Sequence, residues 1–414
     1  MKKLMFLLLV AALLMASCSN DESVSSLTPQ KDEVSFRALV DHTTRGEAVT
    51  LANLQKFRVF AKGADALESE FTDIVTDGGD GSSWNTQSVH YWTTVVGNEN
   101  KQASFTGVYP DDLISTYSPT TALDFSSLTN GRDQKEVMTA FNVGTKAADA
   151  DYGVALRFKH VLSQIVVCAS NKNTEERKVE IVGVKIANVK TKNTLYLPTV
   201  PTNGTSTYNP YSAAATTPID MIIKGKASNA VTLTAAVQNI MFDEDGTQGG
   251  FMVLPQDFTS NAPLANAPLA ATDTYISVLA RIYEKDGSGN WKLIYPYLTT
   301  DNGEFAFTAV GIDGTWEAGK KYTYTLNFYQ GNGGAGTVDP DYTDPTDNPD
   351  PAPNPNPDDP DEPKQPSDTD TPPTDPTSPD PTDPDSGTTK VPIFFTVTVE
   401  DWQDADGDFN KIMD

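Results

Sequence analysis

Three histidines, His42, His90 and His160, are the only imidazoles in 414 residues, and a metalloenzyme or a proton relay would have to be built on them. They stand in three separate segments, none beside Cys168 and none in the His-Glu-x-x-His spacing that puts two ligands on one helix face. No Gly-x-Ser-x-Gly elbow or phosphate loop occurs. Asp243-Glu244-Asp245-Gly246 and Asp404-Ala405-Asp406-Gly407-Asp408 offer the carboxylates of a calcium loop, but neither has the full frame with its closing Glu, and acidic turns are the simpler reading. Trp84, His90, Tyr91 and Trp92 could line a sugar-binding face, although such aromatics more often fill a core or an edge strand. His160 reads as a hydrogen-bonded sheet residue. The expectation is a chain without catalysis, cofactor or metal.

The chemistry that the sequence does signal is done to it by other proteins. Lys2 and Lys3 precede an apolar run, Leu4 to Met15, too short to remain as a membrane-spanning helix. Leu14-Met15-Ala16-Ser17-Cys18 resembles a bacterial lipobox, with Cys18 acylated as the first residue of the mature chain. Ser19-Asn20-Asp21-Glu22 is similar to the surface-export signals of Bacteroidota lipoproteins. These likenesses imply a surface-exposed lipoprotein of the outer membrane. Cys168, in Ile165-Val166-Val167-Cys168, is the other of two cysteines. With Cys18 acylated no intrachain disulfide forms, and Cys168 reads as a small buried hydrophobe.

The net charge of −26 is uneven. Residues 331–390 hold 15 Asp and Glu against Lys364 and Lys390, a net −13 and half of the total. This Pro, Asp and Thr run has too little apolar surface to offset its ordering entropy and reads as an unfolded, self-repelling linker. The remainder is only mildly acidic, which excludes nucleic acid as a partner. Beyond the linker, residues 391–402 alternate: Ile393, Phe395, Val397 and Val399 on one face, Phe394, Thr396, Thr398 and Glu400 on the other. A strand with one apolar face is not stable alone in water. It must join a sheet, its own or a neighbour's.

Residues 34–330 suit two domains of about 150 residues each. Short alternating runs recur at 57–61, 155–168, 179–189, 231–234, 252–254, 275–283 and 322–328, separated by Gly, Asn, Asp and Pro. The pattern predicts an all-β chain of antiparallel β-sandwiches. A boundary is expected at 200–216, where Pro201, Asn203-Gly204 and Pro210 cluster. The organisation read is a signal peptide at 1–18, a spacer at 19–33, sandwiches at 34–200 and 216–330, the linker at 331–390, and a terminal strand and tail at 391–414.

Four runs, taken in order, resemble the fimbrillins, subunits of type V pili of Bacteroidota. Thr44-Arg45-Gly46 is similar to a motif between that family's first two strands, and Leu156-Arg157-Phe158-Lys159-His160-Val161-Leu162-Ser163-Gln164-Ile165 to a later strand. Met252-Val253-Leu254-Pro255-Gln256 resembles its hydrophobic-Pro-Gln turn, and Trp316-Glu317-Ala318-Gly319-Lys320-Lys321-Tyr322-Thr323-Tyr324-Thr325-Leu326 its Trp-to-Leu strand. The resemblance implies a lipoprotein precursor with two transthyretin-like sandwiches. An arginine-specific protease removes the first strand, and the groove takes a strand from another fimbrial subunit. On this reading Arg45-Gly46 is the processing site, within a polar turn after a strand at 34–44, and Ile393, Phe395, Val397 and Val399 face the acceptor. Their burial is worth about 6–12 kcal/mol before ordering costs. The long acidic linker departs from the family pattern. It reaches about 190 Å as polyproline and about 45 Å as a coil, so docking in the same chain or a neighbour stays open. The alternative is a tip adhesin or glycan-binding surface lipoprotein with its own host or bacterial ligand.

Overall fold

Period-2 alternation places one side of each segment in a core, and the computed structural model realises it as strand after strand. The structure describes residues 32–40, 54–78, 84–128, 134–202, 208–258, 270, 272–296, 303–330, 337–338 and 394–401. Cys18, His42, Arg45, Gly46, Ile393 and the acidic run 404–408 lie outside these residues, as do most of 331–390 and all of 402–414.

The first unit contains β1 (Phe36–Val40), β2 (Lys56–Lys62), β3 (Phe71–Asp77), β4 (Trp84–Thr86), β5 (Gln102–Tyr109), β6 (Thr120–Asp124), β7 (Met138–Thr145) and β8 (Val154–His160). All but β6 close into a barrel in the order β1-β4-β3-β2-β5-β7-β8. Its ladders are antiparallel except where β1 meets β8 in parallel and completes the ring. Phe36, Phe57, Trp84, Trp92, Phe105 and Phe158 fill the interior, none more than 1% exposed. Gly107 makes room for them, since a Cβ there would lie 2.8 Å from the Phe158 ring. One short helix, Lys146–Asp149, links β7 to β8.

The second unit contains β9 (Ser163–Asn171), β10 (Arg177–Tyr196), β11 (Thr216–Lys224), β12 (Val231–Thr232), β13 (Gln238–Asn239), β14 (Phe251–Val253), β15 (Gln256–Phe258), β16 (Tyr275–Lys285), β17 (Trp291–Tyr295), β18 (Ala306–Gly311), β19 (Gly314–Trp316), β20 (Lys320–Phe328), β21 (Thr337–Val338) and β22 (Phe394–Asp401). One sheet runs β11-β10-β16-β18-β21, with β6, β12 and β17 alongside. The other runs β13-β9-β20-β22, with β14 beside β9. Their inward faces meet in a core that includes Ile165, Ile181, Ile276, Ile282, Tyr324 and Leu326. Alternation in β16 is strict: Ile276, Val278, Ala280 and Ile282 join this core, while Tyr275, Leu279 and Arg281 face the other way.

The chain leaves the barrel between His160 and Ser163, well before the 200–216 stretch expected to divide it. β10 ends at Tyr196, just before that stretch, of which 203–207 lie outside the described residues. β10 is long enough to belong to both units: Arg177–Ala187 pairs with β16, and Lys192–Tyr196 with β6. Phe60, Val108, Leu123 and Val161 from the first unit pack with Leu195, Met252 and Leu254 in one cluster between them.

Candidate functional site

β1 is a core strand with a peripheral address in the chain. Its five residues read buried, partly buried, buried, partly buried, buried, with Phe36, Ala38 and Val40 turned inward. Phe36 stands opposite Val154, Ala38 opposite Leu156 and Val40 opposite Phe158. The Phe36 ring meets Phe105 edge-on at 5.6 Å and Phe57 at 6.4 Å, a geometry that favours aromatic pairs.

The residues before β1 are also fixed. The Val34 N–H donates to the His90 carbonyl at 2.8 Å, Trp92 N–H to the Asp32 carbonyl at 2.8 Å, and Val154 N–H to the Ser35 carbonyl at 2.8 Å. Lys146 Nζ reaches Asp32 at 2.7 Å. Gly153 sits at φ +76° directly under the strand, and a Cβ there would come within 3.1 Å of the Phe36 backbone. Only a glycine suits both the left-handed turn and that approach. Its carbonyl accepts from Arg37 Nε at 3.2 Å.

The neighbours of β1 in the barrel are β8 and β4, whereas its chain continues to β2, across the ring. One cut in 41–53, the segment that contains Arg45-Gly46, would therefore leave β1 held by noncovalent contacts alone, with every other barrel strand still joined in sequence. Removing it would open a slot between β4 and β8 lined by the Phe57, Phe105 and Phe158 rings.

β22 lies at the other extreme. It pairs antiparallel with β20 from Asn327 opposite Phe394 to Lys320 opposite Asp401, and among the described residues it has no neighbour on its other side. The structure thus seats the terminal strand in its own chain. In that register Phe395, Val397 and Val399 stand opposite Leu326, Tyr324 and Tyr322. Yet Val399 is 52% exposed, against 4% for Val40 of β1.

Three of the runs that carried the resemblance come together behind β20, and the fourth, Thr44-Arg45-Gly46, lies outside the described residues. β20 is parallel to β9, with Tyr322 opposite Ile165 and Leu326 opposite Ala169. The Gly319 N–H donates to the Leu162 carbonyl at 2.9 Å, and Ser163 Oγ to the Glu317 carbonyl at 2.8 Å. Trp316 Nε1 donates to Tyr324 Oη at 3.0 Å. Burial pushes the Tyr324 phenol up to about 12, although the Trp316 bond pulls it the other way. Gln256 pairs with Trp316 across β15 and β19, accepts from Lys190 N–H at 2.9 Å and donates to its carbonyl at 3.2 Å.

The residues that could have done chemistry are employed in the fold. His160 hydrogen-bonds Glu136 with both side chains 1% exposed, a pairing that nothing local in the sequence announces. His90 stacks on Phe71 with ring centres 3.8 Å apart and bonds Asp73 at 2.9 Å. Trp84 and Trp92 are fully buried, so they form no open aromatic face; Tyr91 alone of that group is exposed, at 37%. Cys168 is only partly buried, not the fully buried hydrophobe expected, because it is the one position of β9 that is not sealed, and what burial it has pushes its thiol up. Asp243 Oδ1 accepts from the Asp245 and Thr247 N–H groups, each at 2.9 Å, as a turn carboxylate does.

The sequence profile of the fimbrillin-like family matches residues 43–340. The chain belongs to the fimbrillin-like family. Membership supports the role of a cell-surface fimbrial subunit, and the matched span contains neither β1 nor β22. Among solved structures, this fimbrillin-like chain is similar to a fimbrial protein from Bacteroides vulgatus ATCC 8482, at 14% identity and TM-score 0.44, over 72% of this chain and 94% of that one. It is also similar to a fimbrilin from Porphyromonas gingivalis W83, at 16% identity and TM-score 0.37, over 76% and 93%. No curated protein matches at a significant level.

Proposed function

We propose that this fimbrillin-like chain is the structural stalk subunit of a surface fimbria and polymerises by protease-activated strand exchange. Acylated Cys18 holds the precursor on the outer membrane. An arginine-specific protease cuts at Arg45-Gly46, β1 departs, and a strand from another subunit closes the barrel. The observation that carries this reading is that β1 completes the core of the first unit and yet hangs from it by a single covalent connection. An open barrel exposes both unpaired backbone and apolar side chains, so the processed chain is driven to accept a strand.

The distribution of arginine fits. The sequence has seven, of which Arg37, Arg58, Arg157, Arg177 and Arg281 lie in strands, leaving Arg45 and Arg132. No arginine follows Arg281, so the acidic run and the terminal strand survive an arginine-specific protease. Mass spectrometry of the chain from assembled fibres tests the proposal. A mature N-terminus at Gly46 is expected, and a chain still beginning at Cys18 would end it.

A further inference from the structure

The end of the barrel away from the second unit presents a rigid apolar tip beside the point where the chain arrives from Cys18. The geometry points to this end as a docking face for the zwitterionic lipid surface to which the precursor is tethered, with Val95 and Val96 at its tip. The inference is independent of strand exchange and rests on the lipoprotein part of the reading above.

β1, β5 and β8 begin at this end, with Phe36, Gln102 and Val154, and β7 finishes there with Thr145. β8 leaves at the other end, through His160 into β9. Seven residues of strand put about 23 Å between the tip end and the start of the second unit. Large apolar side chains gather at the tip: Val96 is 92% exposed, Tyr152 65%, Val95 59% and Tyr91 37%. Ala147 and Ala148 of the short helix are exposed among them. The pieces are tied together. Lys146 Nζ donates to the Thr93 carbonyl at 3.1 Å and reaches Asp32 at 2.7 Å, and the Ala147 N–H donates to the Glu99 carbonyl at 2.9 Å. Tyr91 bridges to Glu33, and Tyr152 precedes the glycine that lies under Phe36.

The loop does not expose its valines for want of structure. The Val95 N–H donates to Thr93 Oγ1 at 3.3 Å, and the Val95 carbonyl accepts from the Asn98 N–H at 3.1 Å. The Gly97 N–H donates to Glu99 Oε1 at 3.1 Å, and the Lys101 N–H to the Asn98 carbonyl at 2.9 Å. Gly97, at φ +89°, turns the tip with open space around it. These groups keep their partners when the tip enters an apolar boundary, so its insertion breaks none of these hydrogen bonds and orders little new backbone.

The occupant follows from the path of the chain. Residues 19–31 alone separate Cys18 from Asp32, which Lys146 holds beside the loop. That span reaches about 50 Å at most and about 20 Å as a coil, so an acylated Cys18 keeps this end of the molecule near the bilayer. Burying each valine is worth about tenfold in partition. That is too little to retain a free chain, but the tether makes the contact intramolecular and lets it orient the whole precursor. Tyr91 and Tyr152 add rings and hydroxyls suited to the boundary between headgroups and acyl chains. Charge sets the kind of lipid. Asp65, Glu68, Glu70 and Asp151 are exposed at this end against Lys62 and Lys101, so acidic headgroups are repelled and the contact is apolar. Cleavage at Arg45 removes the tether, and the docked state therefore belongs to the precursor.

Vesicles test the docking. The full-length chain, with polyhistidine in place of residues 1–18 and Cys168→Ser, is held on phosphatidylcholine vesicles through a trace of nickel-chelating lipid. It carries the fluorophore NBD on Ala148→Cys at the tip, or on Thr174→Cys, exposed in the second unit. A blue shift and gain in emission at 148, quenched by nitroxides on the acyl chains, and no change at 174 are expected. Val95→Asp with Val96→Asp should cut the docked-to-free ratio by about a hundredfold without altering thermal unfolding; an unchanged ratio overturns the role of the valines.

Silence at both positions, or equal gains at both, overturns the docking face. A gain at 148 that needs no vesicles and grows with protein concentration assigns the face to a second copy and overturns the lipid. A signal that rises when phosphatidylglycerol replaces part of the phosphatidylcholine overturns the apolar contact in favour of charge. Acylation of Cys18 is read separately, by mass spectrometry of the precursor from cells. A bare Cys18 removes the lipoprotein reading, whereas a silent 148 probe beside an acylated Cys18 removes the docking alone.

Discussion

β1 and β22 carry nearly the same alternating pattern, and the fold treats them in opposite ways. β1 is paired on both sides, its inward residues sealed among aromatic rings, and the ring of strands does not close without it. β22 is longer and, among the described residues, paired on one side only, and its Val399 is half in water. The number of ladder partners on one side therefore says little about commitment. β22 opposes eight residues of β20 and β1 opposes five of β8, but burial of the apolar face decides which strand the fold depends on.

The sharpest way to break this contrast acts on assembly. Lys390→Arg places a cleavable residue just before the terminal strand. The arginine-specific protease that activates the parent chain should then detach its tail and reduce multimers to background on denaturant-resistant gels. A variant that assembles as before would show that the tail donates nothing. Next, Phe36→Ala in the uncleaved chain should lose about 3–5 kcal/mol in urea unfolding, because the neighbouring rings cannot collapse onto the void. A loss as small as that expected for Val399→Ala would erase the distinction between the strands. Gly153→Ala forces a side chain into φ +76° and against Phe36, and should cost about 1–3 kcal/mol by the same measurement. Val399→Ala should cost less than about 1 kcal/mol, since half of its surface already meets solvent.

The smallest effect is a pH dependence at the start of β1. Burial raises the Asp73 carboxyl, but the Ser88 N–H, His90 and the Ile74 N–H outweigh it and hold it below its ordinary 3.8. A carboxyl depressed on folding contributes stability above its unfolded pKa and loses it as pH falls through the folded value. The His90 carbonyl accepts from Val34, so acidification below pH ~4 should lower the protection factor of the Val34 amide, its exchange measured against the intrinsic rate at each pH. Asp73→Asn should abolish that acid response while leaving β22 exchange unaltered.

Strand existence was legible because it is local. The alternation at 57–61, 275–283, 322–328 and in β22 reads directly from residue types, and the structure forms strands at each. What escaped is pairing between distant segments. Nothing near Phe36 signals that it will lie parallel to Val154, and nothing near His160 names Glu136. The expected boundary at 200–216 rested on turn residues, which report where an element ends and carry no information on which sheets lie to either side. Leu162 and Ser163, where the chain changes sheets, contain neither Gly nor Pro. Of the site, the alternation of the tail was visible at once, whereas its shallow seat on β20 required coordinates. Arg45 and Cys18 stay where the sequence put them, as proposals.

β10 has a mechanical consequence. Its twenty residues pair with β6 of the first unit at one end and with β11 and β16 of the second at the other. Tension passed from one subunit to the next would travel along this single strand, lengthwise to its ladders, so neighbouring hydrogen bonds would be strained together rather than peeled one at a time. A fibre made of such links would stretch or release at its joints before its beads came undone.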